Sequence, residues 1–144
     1  MIKKQDIYVM CMASLLIFAI DLPNPLSFLT GDKSAWDWTV MILVPDWIDY
    51  DMVEAAVEQS RKKTGERDYD DLRLETLREG LSVQTLHVGP FAAEADVLKV
   101  LHEEFIPEHG LAMAGKHHEI YLSDPRKTAP DKLRTILRQP VRPA

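Results

Sequence analysis

The sequence predicts an α+β sandwich, with helices on one face of a mostly antiparallel sheet. Three observations lead there. Short runs rich in β-branched and aromatic residues, such as WDWTVMILV, alternate with runs whose apolar residues recur at helical spacing, such as EADVLKVLHEEF. These runs follow the order strand, helix, hairpin, helix, strand, helix. The chain has 144 residues, 46% hydrophobic and 28% charged, enough for one globular core, and no linker divides it.

Each element has its own signal. MIKKQDIYVMCMASLLIFAID holds a mostly apolar run from Ile7 to Ile20, too short to span a bilayer. Asp6 interrupts the basic start and no small-x-small cleavage site follows, so a buried strand or helix is preferred to an export signal. DLPNPLSFLTGDKSAW, with its prolines and glycine, reads as a loop. WDWTVMILVPDW is a central strand ended by Pro45, with Trp36, Trp38, Val40 and Ile42 on one face. DYDMVEAAVEQSRKKTG is a helix: Asp51 and Glu54 approximate a capping box, three cations suit its last turn, and Val53, Ala56, Val57 and Ser60 face inward.

DLRLETLREGLSVQTLHVG reads as two strands turning near Glu79–Gly80. EADVLKVLHEEFIPEHG is a helix with the stripe Val97, Leu98, Leu101 and Phe105, fraying at Pro107 and closing at Gly110. GKHHEIYLSDP is a strand. TAPDKLRTILRQP is a final helix with Pro130 in its first turn and Leu133, Ile136 and Leu137 facing inward.

Composition narrows the function. A net charge of −6 and the lack of a basic stripe argue against nucleic-acid binding. A single cysteine, Cys11, excludes an internal disulfide and the common zinc patterns, and suits the cytoplasm. No Gly-x-Ser-x-Gly turn or phosphate-cradling glycine loop is present. No metal and no cofactor are expected. His117 and His118 point to opposite faces of a strand, and the histidines lack helical ligand spacing.

The strand HHEIYL poses the sharpest question. Alternation puts His117, Glu119 and Tyr121 on one face, with His118, Ile120 and Leu122 on the other. A carboxylate buried there without a partner costs several kcal/mol. Glu119 therefore sits on an exposed edge, faces a wet cleft, pairs with His117 or meets a cationic ligand. Trp36, Trp38 and Tyr121 supply flat apolar walls for a lipophilic or cationic molecule, or serve simply as core.

The run EGLSVQTLHVGPF, then a helix, then GLAMAGKHHEIYLSDPRKTAPDKLRTILRQPV strongly resembles the GyrI-like small-molecule-binding family. GDKSAWDWTVMILVPDWI upstream resembles that family as well. The family is related to the effector-binding domains of multidrug-responsive transcription regulators. The resemblance implies a fold of two strand-helix-strand-strand repeats around a ligand cleft. It divides the chain into a divergent N-terminal apolar segment and loop, 1–29, and a GyrI-like ligand-binding domain, 30–144. It also implies that Glu119 lies in the cleft, orienting or deprotonating a water, while Tyr121 positions substrate or donates a proton. Trp36 and Trp38 would wall the pocket, with His87 and His117 as further ligand contacts.

Relatives begin with a complete first repeat that includes a segment resembling Pro-Leu-Glu-Gly-Leu-Trp-Trp. The nearest match here, YVMCMASLLIFAID, has Ala13 about where the glutamate falls and no tryptophan after it. A truncated or rebuilt first repeat is expected, with a homodimer as one way to complete it. Three functions follow from the resemblance. One is a cytoplasmic binder of lipophilic or cationic xenobiotics; another is a hydrolase opening the cyclopropane ring of cyclopropanoid genotoxins. The third is a protein-interaction module without a ligand. A DNA-binding role is disfavoured and no membrane partner is expected.

Overall fold

The computed structural model describes residues 6–7, 16–21, 37–64, 69 and 71–144; through residue 38 it is described by backbone pairing alone. Among the described residues seven strands form one sheet: β1 (Asp6–Ile7), β2 (Leu16–Asp21), β3 (Asp37–Ile42), β4 (Ser82–Val88), β5 (Leu111–Met113), β6 (His117–Tyr121) and β7 (Arg134–Pro143). Their order is β1-β3-β2-β6-β7-β4, with β5 beside the end of β7. Every pairing is antiparallel except β1 with β3. With two longer helical segments among the described residues, α1 (Tyr50–Thr64) and α2 (94–108), the fold is α+β as the sequence predicts. Among the described residues no helix is long and apolar enough to cross a membrane.

The apolar N-terminal run supplies β2, which pairs with both β3 and β6. β3 forms where WDWTVMI predicts a strand, with Thr39 and Met41 buried, although among the described residues only the two-residue β1 lies outside it. The loop expected over 21–36 falls, beyond Asp21, outside the described residues. α1 ends on the expected cations, Arg61, Lys62 and Lys63. Of its expected inner stripe Val53, Val57 and Ser60 are half-buried, and Ala56 is exposed.

Two expectations are corrected. The hairpin turning near Glu79 has only its second strand, because residues 73–81 form no ladder. Leu72, Leu74 and Leu77 break the two-residue period, and the segment is held by one backbone bond, from the Val141 N–H to the Leu81 carbonyl at 2.8 Å, and by side chains. Tyr50 donates to the Leu74 carbonyl at 3.1 Å, and Glu79 bonds to β6 and β7. The final helix is also absent. Pro130–Lys132 make one 3-10 turn, and residues 134–143 become β7, a strand paired on both sides. Leu133, Thr135, Leu137, Gln139 and Val141 are all buried, a period of two, while Leu133, Ile136 and Leu137 happen also to fit helical spacing. Strand pairing on both sides decided between the two periods.

α2 packs on the sheet face that carries these residues: Leu101 and Ile106 cluster with Val141, flanked by Val83 and Leu111. Burying each large aliphatic side chain contributes about 1.5–3 kcal/mol. The helix contains a π segment, Val100–Phe105, whose wider turn shifts the inward stripe by one residue. Phe105 is therefore 40% exposed and stacks on His109, while Ile106 is 2% exposed. Pro107 lies in the first turn of the α segment Ile106–Glu108 that follows the π segment, where a proline is tolerated, and Gly110 ends the helix at φ +64°.

Candidate ligand site

The motif HVGPF builds one wall of the site. β4 ends at Val88, and Gly89 turns the chain at φ +142° with its N–H bonded to the Leu133 carbonyl at 2.9 Å. His87 is buried and its Nε2 lies 3.2 Å from the Pro90 carbonyl, so this ring pins the turn from within. The turn delivers Phe91 onto the Tyr121 ring, with centroids 5.0 Å apart, and starts α2 at Glu94.

Beneath that wall, β6 and β7 align two rows. Tyr121 pairs with Thr135, which pairs with His87; Glu119 pairs with Leu137, which pairs with Thr85. Paired residues point to one side of a sheet, so both rows share the α2 face. Glu119 is 6% exposed, and the Tyr121 hydroxyl donates to its carboxylate. Burial first, then the charges of Glu119 and Glu94, push the Tyr121 phenol far above its ordinary range, so it remains protonated. Glu94, in the first turn of α2, is 4% exposed and close enough to act on Tyr121. Two buried carboxyl groups thus act on one phenol on the α2 side of the sheet.

His117 is buried one row further on. Its ring meets His102 of α2 edge-on at 5.4 Å. Burial, with His102 and His118 adding to it, lowers the His117 pKa to about 3. Gln139 donates its amide N–H groups to the carbonyls of Ala114 and Pro140, at 3.2 and 3.0 Å, leaving its oxygen to the two histidines. The Glu119 carboxylate is met by Tyr121, while His117 turns to His102. Trp36 lies outside the described residues, and Trp38 is placed only by its backbone pairing with Ile20. Among the described residues, no three His, Cys, Asp or Glu side chains gather as metal ligands.

The opposite face carries a different network. His118 donates from Nδ1 to Glu79 at 2.6 Å, and Arg138 donates to the other Glu79 oxygen at 2.7 Å. A cavity of ≈ 910 Å³ opens on this side, lined by Thr39, Met41, Tyr50, Leu77, Glu79 and His118 among others, but not by Glu119 or Tyr121. Sequence reasoning missed Glu79, Glu94 and Thr135. Glu94 did leave a signal, because it stands four residues before Leu98 and seven before Leu101, a carboxyl on an apolar stripe.

Known proteins resemble this chain in sequence and fold. The model of the GyrI-like small molecule binding domain matches residues 48–142. The structure of a hydrolase from Listeria innocua is 38% identical, with a TM-score of 0.70 over 89% of this chain and 61% of its own. An uncharacterized conserved protein from Listeria innocua is also 38% identical, with a TM-score of 0.73 over 89% of this chain and 63% of its own. The chain thus spans less than two thirds of the length of these relatives. No curated protein matches. The motifs HVGPF and HHEIY, the residues they bring together and the matched span place this chain in the GyrI-like family of small-molecule-binding domains.

Proposed function

We propose that the chain binds a lipophilic cation against Glu119, with Tyr121 and Phe91 shaping the contact. The grouping of Glu119, Glu94 and Tyr121 under α2 carries this reading. Carboxyl groups in apolar surroundings favour a cation whose charge is spread over apolar surface, because such an ion loses little hydration on entry. Ring faces add a further attraction. Entry requires Phe91 and the first turn of α2 to move aside. Trp36 and Trp38 belong to the same proposal as flat walls, with His87 and His117 as flanking contacts, and the role is cytoplasmic sequestration of xenobiotics. Calorimetric titration of the chain with tetraphenylphosphonium and with neutral triphenylphosphine oxide tests it. The cation should bind at least about tenfold tighter, since about 1.4 kcal/mol of charge interaction suffices; equal affinities would remove the charge-based reading.

The pairing of a carboxylate with a phenol that stays protonated also favours a second reading, and a similar structure is described as a hydrolase. In it, Glu119 orients a water whose oxygen attacks a ring carbon of a cyclopropane fused to a dienone. The strained carbon–carbon bond breaks and its electron pair moves through the dienone to the oxygen. Water supplies the hydroxyl gained by carbon and, through Glu119 and Tyr121, the proton gained by the phenolate. Incubation with a spirocyclopropyl-cyclohexadienone, followed by mass spectrometry, should show the gain of one water. Unchanged substrate would leave binding alone.

A further inference from the structure

Thr135 is 0% exposed, and among the described residues its hydroxyl oxygen has no hydrogen-bond partner. It lies in the same cross-strand row as Tyr121 and His87, on the face beneath Phe91 and α2. Buried hydroxyls are ordinarily satisfied, because one left unpaired has given up its bonds to water for nothing. A threonine tolerated in a row beside the ligand site, where valine would fill the same volume, points to a partner that arrives from outside.

We propose that the Thr135 hydroxyl is a recognition group of the Glu119 site, bonding to a polar atom of the bound molecule and selecting cations that carry such an atom. This rests on the proposed binding at Glu119. The ligand class is correspondingly narrower: a lipophilic cation with an amine, hydroxyl or carbonyl set beside its charge. The Tyr121 hydroxyl donates to Glu119 and the His87 Nε2 meets Pro90, whereas the buried Thr135 hydroxyl in the same row meets no hydrogen-bond partner among the described residues.

The test uses two probes with the full chain. Ethidium is a lipophilic cation with aromatic amines, whereas tetraphenylphosphonium has no hydrogen-bonding atom. Thr135→Val should weaken ethidium binding about fivefold and leave tetraphenylphosphonium unchanged. Its melting temperature should not fall, because an unpaired buried hydroxyl is being removed. Thr135→Ser, which keeps the hydroxyl, should bind both probes like the parent, and Glu119→Gln should weaken both. If Glu119→Gln weakens both probes while Thr135→Val weakens neither, or both equally, the Thr135 role is overturned and the Glu119 site stands. If Glu119→Gln changes neither probe, the site and the Thr135 role fall together. A Thr135→Val chain that melts lower with unchanged affinities would show the hydroxyl satisfied within the fold.

Discussion

The Tyr121 hydroxyl donates to the carboxylate of Glu119, two positions earlier on the same strand and the same face. The pair is mutually supporting: the phenol bonds a carboxylate that would otherwise be costly to desolvate, and burial together with that carboxylate keeps the phenol protonated. Tyr121→Phe should therefore destabilise the fold by about 1–3 kcal/mol, the range for a lost bond to an ionised group. Denaturant titration checks this; an unchanged midpoint would mean that the pair adds nothing to folding. The same variant should also weaken tetraphenylphosphonium binding less than Glu119→Gln does, since it retains the charge.

Glu79 joins two neighbouring strands through its side chain, bonding His118 of β6 and Arg138 of β7. Glu79→Ala leaves a guanidinium and a buried imidazole without that carboxylate. The Glu79 and Arg138 side chains keep about a quarter of their surface in water, so the cost falls below that of a fully buried pair. A loss of about 1–3 kcal/mol is expected, read as a drop in melting temperature. Glu79→Gln should recover part of it through the amide oxygen.

Acid should weaken the fold through His117. Its pKa is lowered to about 3 by burial, whereas an unfolded histidine titrates near 6.5. Between those values the unfolded chain binds the proton and the folded chain does not, so stability rises with pH across that window and is flat above it for this residue. Each pH unit well inside the window costs about 1.4 kcal/mol per such proton. Burial also lowers His102 and His118, adding to the same slope. His117→Leu should flatten the dependence of melting temperature between pH 4 and 6, a range set by the ordinary histidine pKa of about 6.5. An unchanged slope would place the acid sensitivity elsewhere.

Gly89 occupies a backbone conformation that L-residues rarely adopt, and a Cβ there would sit 3.3 Å from the His87 Nε2. Gly89→Ala should cost about 1–3 kcal/mol through strain. It should also loosen the Phe91 contact with Tyr121, because the same turn carries both His87 and Phe91. Tetraphenylphosphonium affinity measured alongside chemical denaturation separates these effects; full stability and full affinity together would contradict the role given to the turn.

Local pattern carried part of this molecule. The strand pattern of WDWTVMI, the helix of EADVLK and the shared face of Glu119 and Tyr121 depend on residues close in sequence, and periodicity reports those directly. TILRQPV fitted two periods at once, and only pairing with β4 and β6 selected the strand. The inward stripe of α2 was misread at its end because a π segment changes the residue count per turn, which apolar spacing alone does not disclose.

By itself, then, the sequence determined the fold class, the family motifs and the presence of a carboxylate and a phenol on one strand face. Tertiary structure decided that Glu94 and Thr135 join them, that His117 turns toward His102, and that Glu79 crosses to the other face. Those relations link residues more than a dozen positions apart, through strand register and helix phase. Such geometry is set by packing the whole sheet against α2, and no local run of residues encodes it.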